Sequence, residues 1–400
     1  MYSNKCDYIW QQTYRLLVKY KEPSFLVYLK IVFYTVKALF VGLLPKIPPK
    51  DNNIYIGFII EGGLGDFLIN INYIYCFLEK IYKENIIVDI ITNSKIFAES
   101  LIPELYGLRN VIVNKGLKTN NYYDVKIRLF RRPYIIFINK SRIQKFAPHI
   151  IPFVNAYEHK KEQFFLLFQN SPYFEGVADI IDMADNKNRL LQADINNLLN
   201  MTQEFKVKFP IKNAEETLTK FNLNNKTYIT VSREVGYDKV VNSTKLWPLQ
   251  NYRELTKQIK QAFPNIIIVE IGAGKGERIT RNIDINLAGK TTLEEAKSVI
   301  KNSLLHIDTE GGLAHLRYAL HAGPSIIMFG PTNPHFFGIK GNINIYTNKC
   351  PIHCSELLPS WQEECHKLKD KNICLKSISV ESVFAEVKKF LTSHIDSKNN

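Results

Sequence analysis

The sequence predicts an α/β protein built from two Rossmann-like halves. Three observations carry that expectation. Short apolar runs of strand character alternate with helix-like stretches, several of these runs end in a glycine turn that opens a helix, and 400 residues suffice for two domains of ordinary size. Strands joined through helices form a parallel sheet covered on both faces, and such sheets bind ligands beyond the carboxyl ends of their strands. Two halves of this kind give a bilobal protein with its ligands between the lobes.

The first fifty residues stand apart as a basic amphipathic segment, 1–50. Its stretch from Phe25 to Leu44 (FLVYLKIVFYTVKALFVGLL) has the length of a bilayer crossing. Lys30 and Lys37 fall seven apart, on one helical face, and a mid-membrane lysine is costly. Two readings stay open: a helix lying on the membrane surface with its lysines toward the headgroups, or a helix packed on the first domain.

The first domain is expected over 51–210. Ile54–Ile60 (IYIGFII) reads as a buried strand, followed by the turn EGGLGD and a helix-like stretch from Phe67 to Tyr82. Ile86–Thr92 is a second strand, and Asn93-Ser94 opens a short helix. Val111–Asn114, Asp124–Phe130 and Tyr134–Ile138 read as further strands, and Phe153–Phe209 as mostly helical. Lys206–Asn225 is the expected crossing into a second domain over 226–378. There, strands at Thr227–Ser232, Ile266–Ile271, Leu304–Asp308 and Ser325–Phe329 alternate with helices at Leu249–Ala262, Thr292–Lys301 and Leu313–Ala322. Thr291 or Thr292 caps the second of these helices, whose first turn holds Glu294 and Glu295. A last helix covers 379–394.

The net charge of +14 favours acidic partners: nucleic acid, anionic membrane, or phosphorylated sugars and lipids. Zinc-finger spacing, an aromatic RNP strand and a basic helical arm are all missing, so nucleic acid is not an expected partner. The start MYSNKCDYIWQQTYR is polar and aromatic rather than a cleavable signal, which argues for the cytosol and against a disulfide framework.

Four turns could carry chemistry. In Glu61-Gly62-Gly63-Leu64-Gly65-Asp66, Gly62, Gly63 and Gly65 let backbone approach a ligand, and Asp66 sits where the helix begins. Asp66 could take a proton from a hydroxyl or simply cap the helix. Ser232 and Arg233 end one strand, and Lys245 precedes Trp-Pro at a helix start; their cations can hold a diphosphate. The loop Gly272-Ala273-Gly274-Lys275-Gly276-Glu277 ends in a carboxylate suited to ribose hydroxyls or merely solvated. The most specific signal is Asp308-Thr309-Glu310-Gly311-Gly312-Leu313-Ala314-His315, followed by the turn Phe329-Gly330-Pro331-Thr332. Successive N–H groups at Gly311, Gly312 and Leu313 would face a phosphate, with His315 one turn into the helix. The GxGxxG spacing of dinucleotide folds does not occur, which argues against an oxidoreductase or a sugar-nucleotide epimerase.

Cys350, Cys354, Cys365 and Cys374 cluster within 25 residues, while Cys6 and Cys76 stand alone. Four thiolates suit a structural zinc or iron ion that leaves no open catalytic position, although the spacing lacks a C-x2-C pair. Free thiols are the alternative, and disulfides rank last.

The order of these motifs resembles glycosyltransferase family 9, the ADP-heptose–lipopolysaccharide heptosyltransferases. The likeness runs from Ile54 to Leu391 and rests on the strand near Ser232, KLWP, the GxxxxE loop, INLAGKTTLEE (Ile285–Glu295), GGLAHL, FGPT and the late cysteines. It implies a GT-B fold, two Rossmann-like domains facing each other across a cleft, and an inverting transfer that uses no catalytic metal. Carried over, Asp66 matches the family's base, Lys245 its basic residue before Trp-Pro, and Glu277 a nucleotide-ribose ligand. Gly311, Gly312, Leu313 and His315 match the diphosphate turn. The sequence departs from the family's Asp-Ser/Thr-Gly-x-x-His: Glu310 stands where Asp is usual and Gly311 where a hydroxyl is usual, and Asp308 is off the spacing. The implied donor is ADP-heptose and the implied acceptor is lipopolysaccharide core or another surface glycan, on the inner face of the cytoplasmic membrane. A subset of related heptosyltransferases holds iron through cysteines. No Asp-x-Asp triplet occurs, so the signature of a metal-bridged diphosphate is missing. The altered turn also fits a module of the same fold that binds a nucleotide sugar without catalysing transfer.

Overall fold

The computed structural model describes residues 47–114, 121–130, 132–170, 174–234, 244–274, 276–350, 353–357, 361–362, 365 and 373–399. The segment Phe25–Leu44 and Cys6 lie outside them. Among the described residues no helix is long and apolar enough to cross a membrane.

The chain packs as two compact units. The first runs to Glu61 and takes in Phe77–Lys95 and Glu104–Pro172; the second comprises Gly62–Cys76, Ile96–Pro103 and Tyr173–Asn400. This differs from the expected division at 210. Gly62–Cys76, with Asp66, groups with the second half of the chain, and so does everything from Tyr173 onward.

The first unit holds a five-stranded sheet of order β3-β2-β1-β4-β5. Its strands are β1 (Ile54–Ile60), β2 (Ile86–Thr92), β3 (Leu108–Val113), β4 (Val125–Leu129) and β5 (Pro133–Ile138). All seven residues of β1 are buried, as a central parallel strand covered on both faces requires. One face packs Tyr55, Ile59, Ile91 and Tyr123 together; on the other, the rings of Phe58, Phe77 and Phe153 meet edge-on. β5 corrects the all-parallel expectation: it pairs antiparallel with β4. Only residues 130–132 join the two strands, and a parallel partner needs a crossover of roughly a dozen residues or more. Glu61, just past the end of β1, is gripped by Arg128 of β4 through two hydrogen bonds of 2.9 and 2.6 Å.

The second unit holds a six-stranded sheet of order β11-β10-β9-β6-β7-β8. Its strands are β6 (Tyr228–Val231), β7 (Ile267–Glu270), β8 (Ile285–Asn286), β9 (His306–Thr309), β10 (Ser325–Met328) and β11 (Ile343–Ile345), and every pair is parallel. The chain winds outward from β6 to β8, then returns to lay β9 on the other side of β6. The switch point therefore falls between β6 and β9, and their carboxyl ends carry Ser232-Arg233 and Glu310-Gly311. Beneath it, Ile229, Val231, Ile307 and Met328 pack against Trp247 and against Tyr252, Leu255 and Ile259 of the helix Leu249–Ala262. The final helix, Val380–Asn399, adds Val383, Val387 and Leu391.

The expected helix after KTT forms over Leu293–Asn302, with Thr292 as cap in a full capping box with Glu295. The helix at the glycine turn spans Gly312–Ala319, a residue earlier at its start than expected. Its Arg317 is fully buried and ties the helix to its neighbours: the guanidinium donates to the carbonyls of Ile300, Ser303, Leu304 and Pro324 and to the Ser303 hydroxyl. The stretch Phe153–Phe209 is helical only in part. Helices cover Ile151–Asn170 and Phe174–Ala184, and the chain beyond runs as turns pinned by Asp194, whose carboxylate accepts from the N–H groups of Leu199 and Met201. A seven-residue helix, Ala214–Lys220, occupies the expected crossing.

Candidate functional site

Two glycine turns of the second unit meet. The helix Leu64–Ile81 starts at the turn after β1, and the helix Gly312–Ala319 starts at the turn after β9. A Cβ on Gly65 would stand 2.7 Å from the His315 ring, and a Cβ on Gly312 would stand 2.8 Å from Leu64. Neither distance is tolerable, so the glycines at 65 and 312 are what allow the two helix starts to touch. Gly62, at φ +112°, turns the backbone so that Asp66 folds back over it.

Asp66 occupies the first turn of its helix, and its two carboxylate oxygens have different partners. One carboxylate oxygen accepts from the Gly63 N–H at 3.3 Å, a helix-start contact. The other accepts from Arg189 at 2.6 Å. Arg189 is buried and its own N–H donates to the Phe336 carbonyl, so its backbone is fixed. No local pattern marks this residue. It lies in the non-periodic run Asp185–Asp194, where neither strand nor helix spacing assigns a side chain to a face.

The second cluster surrounds the β9 turn. Gly311 at the N-cap of the helix Gly312–Ala319 makes no side-chain cap bond, which suits the helix's first N–H groups to an anion. Lys245 forms an ion pair with Glu310, and His315 Nε2 lies 3.9 Å from the same carboxylate. Burial alone would push the Glu310 carboxyl up; the charge of the Lys245 ammonium beside it outweighs burial and holds it below its usual range. Burial pushes His315 down, against the pull of Glu310, which favours a neutral imidazole at neutral pH. The His315 Nδ1, Ser232 Oγ and Thr309 Oγ1 atoms are buried with no protein partner among the described residues.

Asp308 does not take the family's acid position. It is buried and turned inward, its Oδ2 3.4 Å from His306 and its Oδ1 accepting from the Thr309 N–H. Burial raises it above the usual carboxylate value. His306 in turn reaches the Thr230 hydroxyl at 2.9 Å. The acid that faces Lys245 and His315 is Glu310.

Arg233 is buried, donates to the Trp247 carbonyl at 3.3 Å, and lies 3.6 Å from Glu277. The Glu277 side chain is 62% exposed, on a loop held from behind: Glu234 accepts from Gly274 and pairs with Arg278 at 2.8 Å. Trp247 is buried, packs the helix start and donates to the Ile378 carbonyl at 3.0 Å. Asp66, Arg189, Glu310, His315, Lys245, Arg233, Ser232 and Glu277 thus all belong to one compact unit.

Of the four late cysteines, Cys350, Cys354 and Cys374 are buried and Cys365 is half-buried, and among the described residues none forms a disulfide. Burial pushes the Cys374 thiol up to about 12, and the neighbouring Cys350, Cys365 and Cys354 add to the rise as like charges. Among the described residues, however, no three His, Cys, Asp or Glu side chains stand as a preformed metal cage.

The sequence profile of glycosyltransferase family 9 (heptosyltransferase) matches residues 152–370. Lipooligosaccharide heptosyltransferase 2 of Haemophilus influenzae is 31% identical over 104 residues, which are 23% of this chain and 29% of that protein. The matched part thus spans under a third of that relative. Two solved structures resemble the fold. One is a glycosyltransferase family 9 protein of Veillonella parvula, with 13% identity, TM-score 0.53, and 87% of this chain and 100% of that one covered. The other is TibC of enterotoxigenic E. coli, a dodecameric iron-containing heptosyltransferase solved with ADP-D-beta-D-heptose. That complex gives 14% identity, TM-score 0.55, and coverage of 88% of this chain and 80% of that one. The likeness fixes the architecture as GT-B, with two α/β domains.

Proposed function

Because this chain belongs to glycosyltransferase family 9, we propose that it is an inverting transferase moving heptose from ADP-heptose to a lipopolysaccharide-core or other surface-glycan acceptor. The observation that carries the reading is the meeting of Asp66 and Arg189 with the uncapped helix start at Gly312, the neighbouring His315 and the Lys245–Glu310 pair.

The roles follow from charge. The donor's diphosphate sits over the N–H groups of Gly311, Gly312 and Leu313, with Lys245 and Arg233 as counter-cations and Ser232 lending its buried hydroxyl. Glu277 accepts from the ribose hydroxyls. Lys245 balances Glu310 before the donor arrives and the diphosphate afterwards, leaving Glu310 to accept from a sugar hydroxyl. The neutral imidazole of His315 donates a hydrogen bond near the leaving group. Asp66, oriented by Arg189, takes the proton of the acceptor hydroxyl. That oxygen attacks the anomeric carbon opposite the diphosphate, the bond to the diphosphate breaks with its electron pair, and the configuration inverts. Gly63, where a Cβ would meet nothing within 4 Å, leaves room for the acceptor.

No resident metal enters these steps. A structural zinc or iron ion suits the chemistry of Cys350, Cys354, Cys365 and Cys374 and would offset the like charges that push Cys374 up, though the thiols would have to draw together to hold it. The charge of +14 and the apolar, basic segment Phe25–Leu44 support a membrane-borne acceptor met at the cytoplasmic face.

Two observations favour a second reading, a nucleotide-sugar-binding module without turnover: both Asp66 oxygens are engaged, and Gly311 removes a hydroxyl from the donor turn. A panel of nucleotide sugars separates the two. ADP-heptose, at a hundred times its Kd, should stabilise the protein by about 2.7 kcal/mol and be consumed when acceptor is added. Stabilisation without consumption supports the module; a larger shift from another nucleotide sugar replaces ADP-heptose as donor.

A further inference from the structure

We propose that Trp361 is a positioning residue for Lys245, and that through it the cysteine-bearing segment is coupled to donor binding. The inference rests on the reading above that Lys245 holds the donor's diphosphate. The Lys245 ammonium lies 5.6 Å from the centroid of the Trp361 ring, within cation–π range. The ring is buried, which removes water from the contact and strengthens it. The backbone is clamped at the same point. The Thr244 hydroxyl donates to the Trp361 carbonyl at 2.6 Å, and the Thr244 N–H donates to the Gln362 carbonyl at 3.1 Å. Thr244 immediately precedes Lys245, so main chain and side chain are both set by Trp361 and Gln362.

The same segment grips the other turn of the donor site. A Cβ on Gly330 would stand 2.8 Å from Leu375 and 3.3 Å from the Thr244 carbonyl, and the Ser355 N–H donates to the Pro331 carbonyl at 3.1 Å. Trp361 lies between Cys354 and Cys365, and Leu375 directly follows Cys374. The ring beside Lys245 thus belongs to the stretch that carries the four thiols. A lysine on a flexible four-carbon stem loses much rotamer freedom when it is fixed on a ligand. Trp361 imposes that order beforehand. Glu310 is the counter-ion that a diphosphate can replace, whereas the ring stays in place throughout.

The test uses the full-length protein and whichever of ADP, GDP and UDP binds it tightest. Trp361→Leu should raise the Kd of that nucleotide, and the donor KM, by about 3- to 30-fold, with kcat at saturating donor changed far less. Trp361→Phe, which keeps an aromatic face, should recover most of the loss. In a Lys245→Met background, Trp361→Leu should cost nothing further; an equal loss there would make Trp361 a mere packing residue and overturn the proposal. A second measurement leaves position 361 untouched. In protein labelled with 5-fluorotryptophan, the fluorine resonance of residue 361 should move on Lys245→Met and on adding the nucleotide. A resonance that ignores Lys245→Met, while that substitution still weakens nucleotide binding, overturns the positioning role and spares the diphosphate reading. Unchanged nucleotide affinity in Lys245→Met removes the diphosphate reading itself, and the proposal with it.

Discussion

Asp66→Asn should lower kcat by about 10²–10⁴-fold, with the donor KM within about 3-fold of the unaltered protein. The amide keeps the shape of the carboxylate, and its one oxygen can still accept from Arg189, while its NH2 group gives up the 3.3 Å contact from the Gly63 N–H. The side chain stays on Arg189, and the main loss is proton acceptance. A fall in kcat without a matching rise in donor KM marks an interaction that matters in the transition state alone. Steady-state kinetics on the folded variant reads both numbers. A helix-capping role alone predicts a different pattern, a modest loss of stability with turnover kept.

The second large effect concerns stability. Arg317→Met should lower the unfolding free energy by about 3–5 kcal/mol, because removing a buried donor strands acceptors that water cannot reach. Four carbonyls, those of Ile300, Ser303, Leu304 and Pro324, lose a donor together. The loss is not confined to the core: Arg317 sits on the same helix as His315, and its bonds seat that helix against the end of the helix Leu293–Asn302. Urea unfolding should show the midpoint falling with little change of slope, and nucleotide binding should weaken alongside.

Much of the architecture was legible because it follows from local rules. IYIGFII reads as a buried strand by its unbroken apolar run, and all seven residues are buried. Thr292 followed by Glu295 reads as a helix start, and the capping box forms there. Where local rules gave out, so did the reading. β5 looks like any other strand in sequence, and only the shortness of its link to β4 reverses it. Arg189 is the clearest omission at the site, since a contact across 123 positions has no local signature and its segment has no period. Lys245 and Glu310 were each marked for a ligand, but their pairing depends on how β6 and β9 lie side by side, which no spacing within either turn encodes. Asp66 was assigned to a domain facing the donor turn; the packing groups it with that turn instead, through contacts that require Gly65 and Gly312.

The central claim is that the leaving diphosphate lies over the helix start at Gly312. A crystal structure of the protein soaked with a nucleoside diphosphate tests it most directly. The account predicts phosphate oxygens within about 3 Å of the Gly312 and Leu313 N–H groups, with the Lys245 ammonium drawn off Glu310 onto them. Phosphates bound elsewhere, with Lys245 still paired to Glu310, would contradict it.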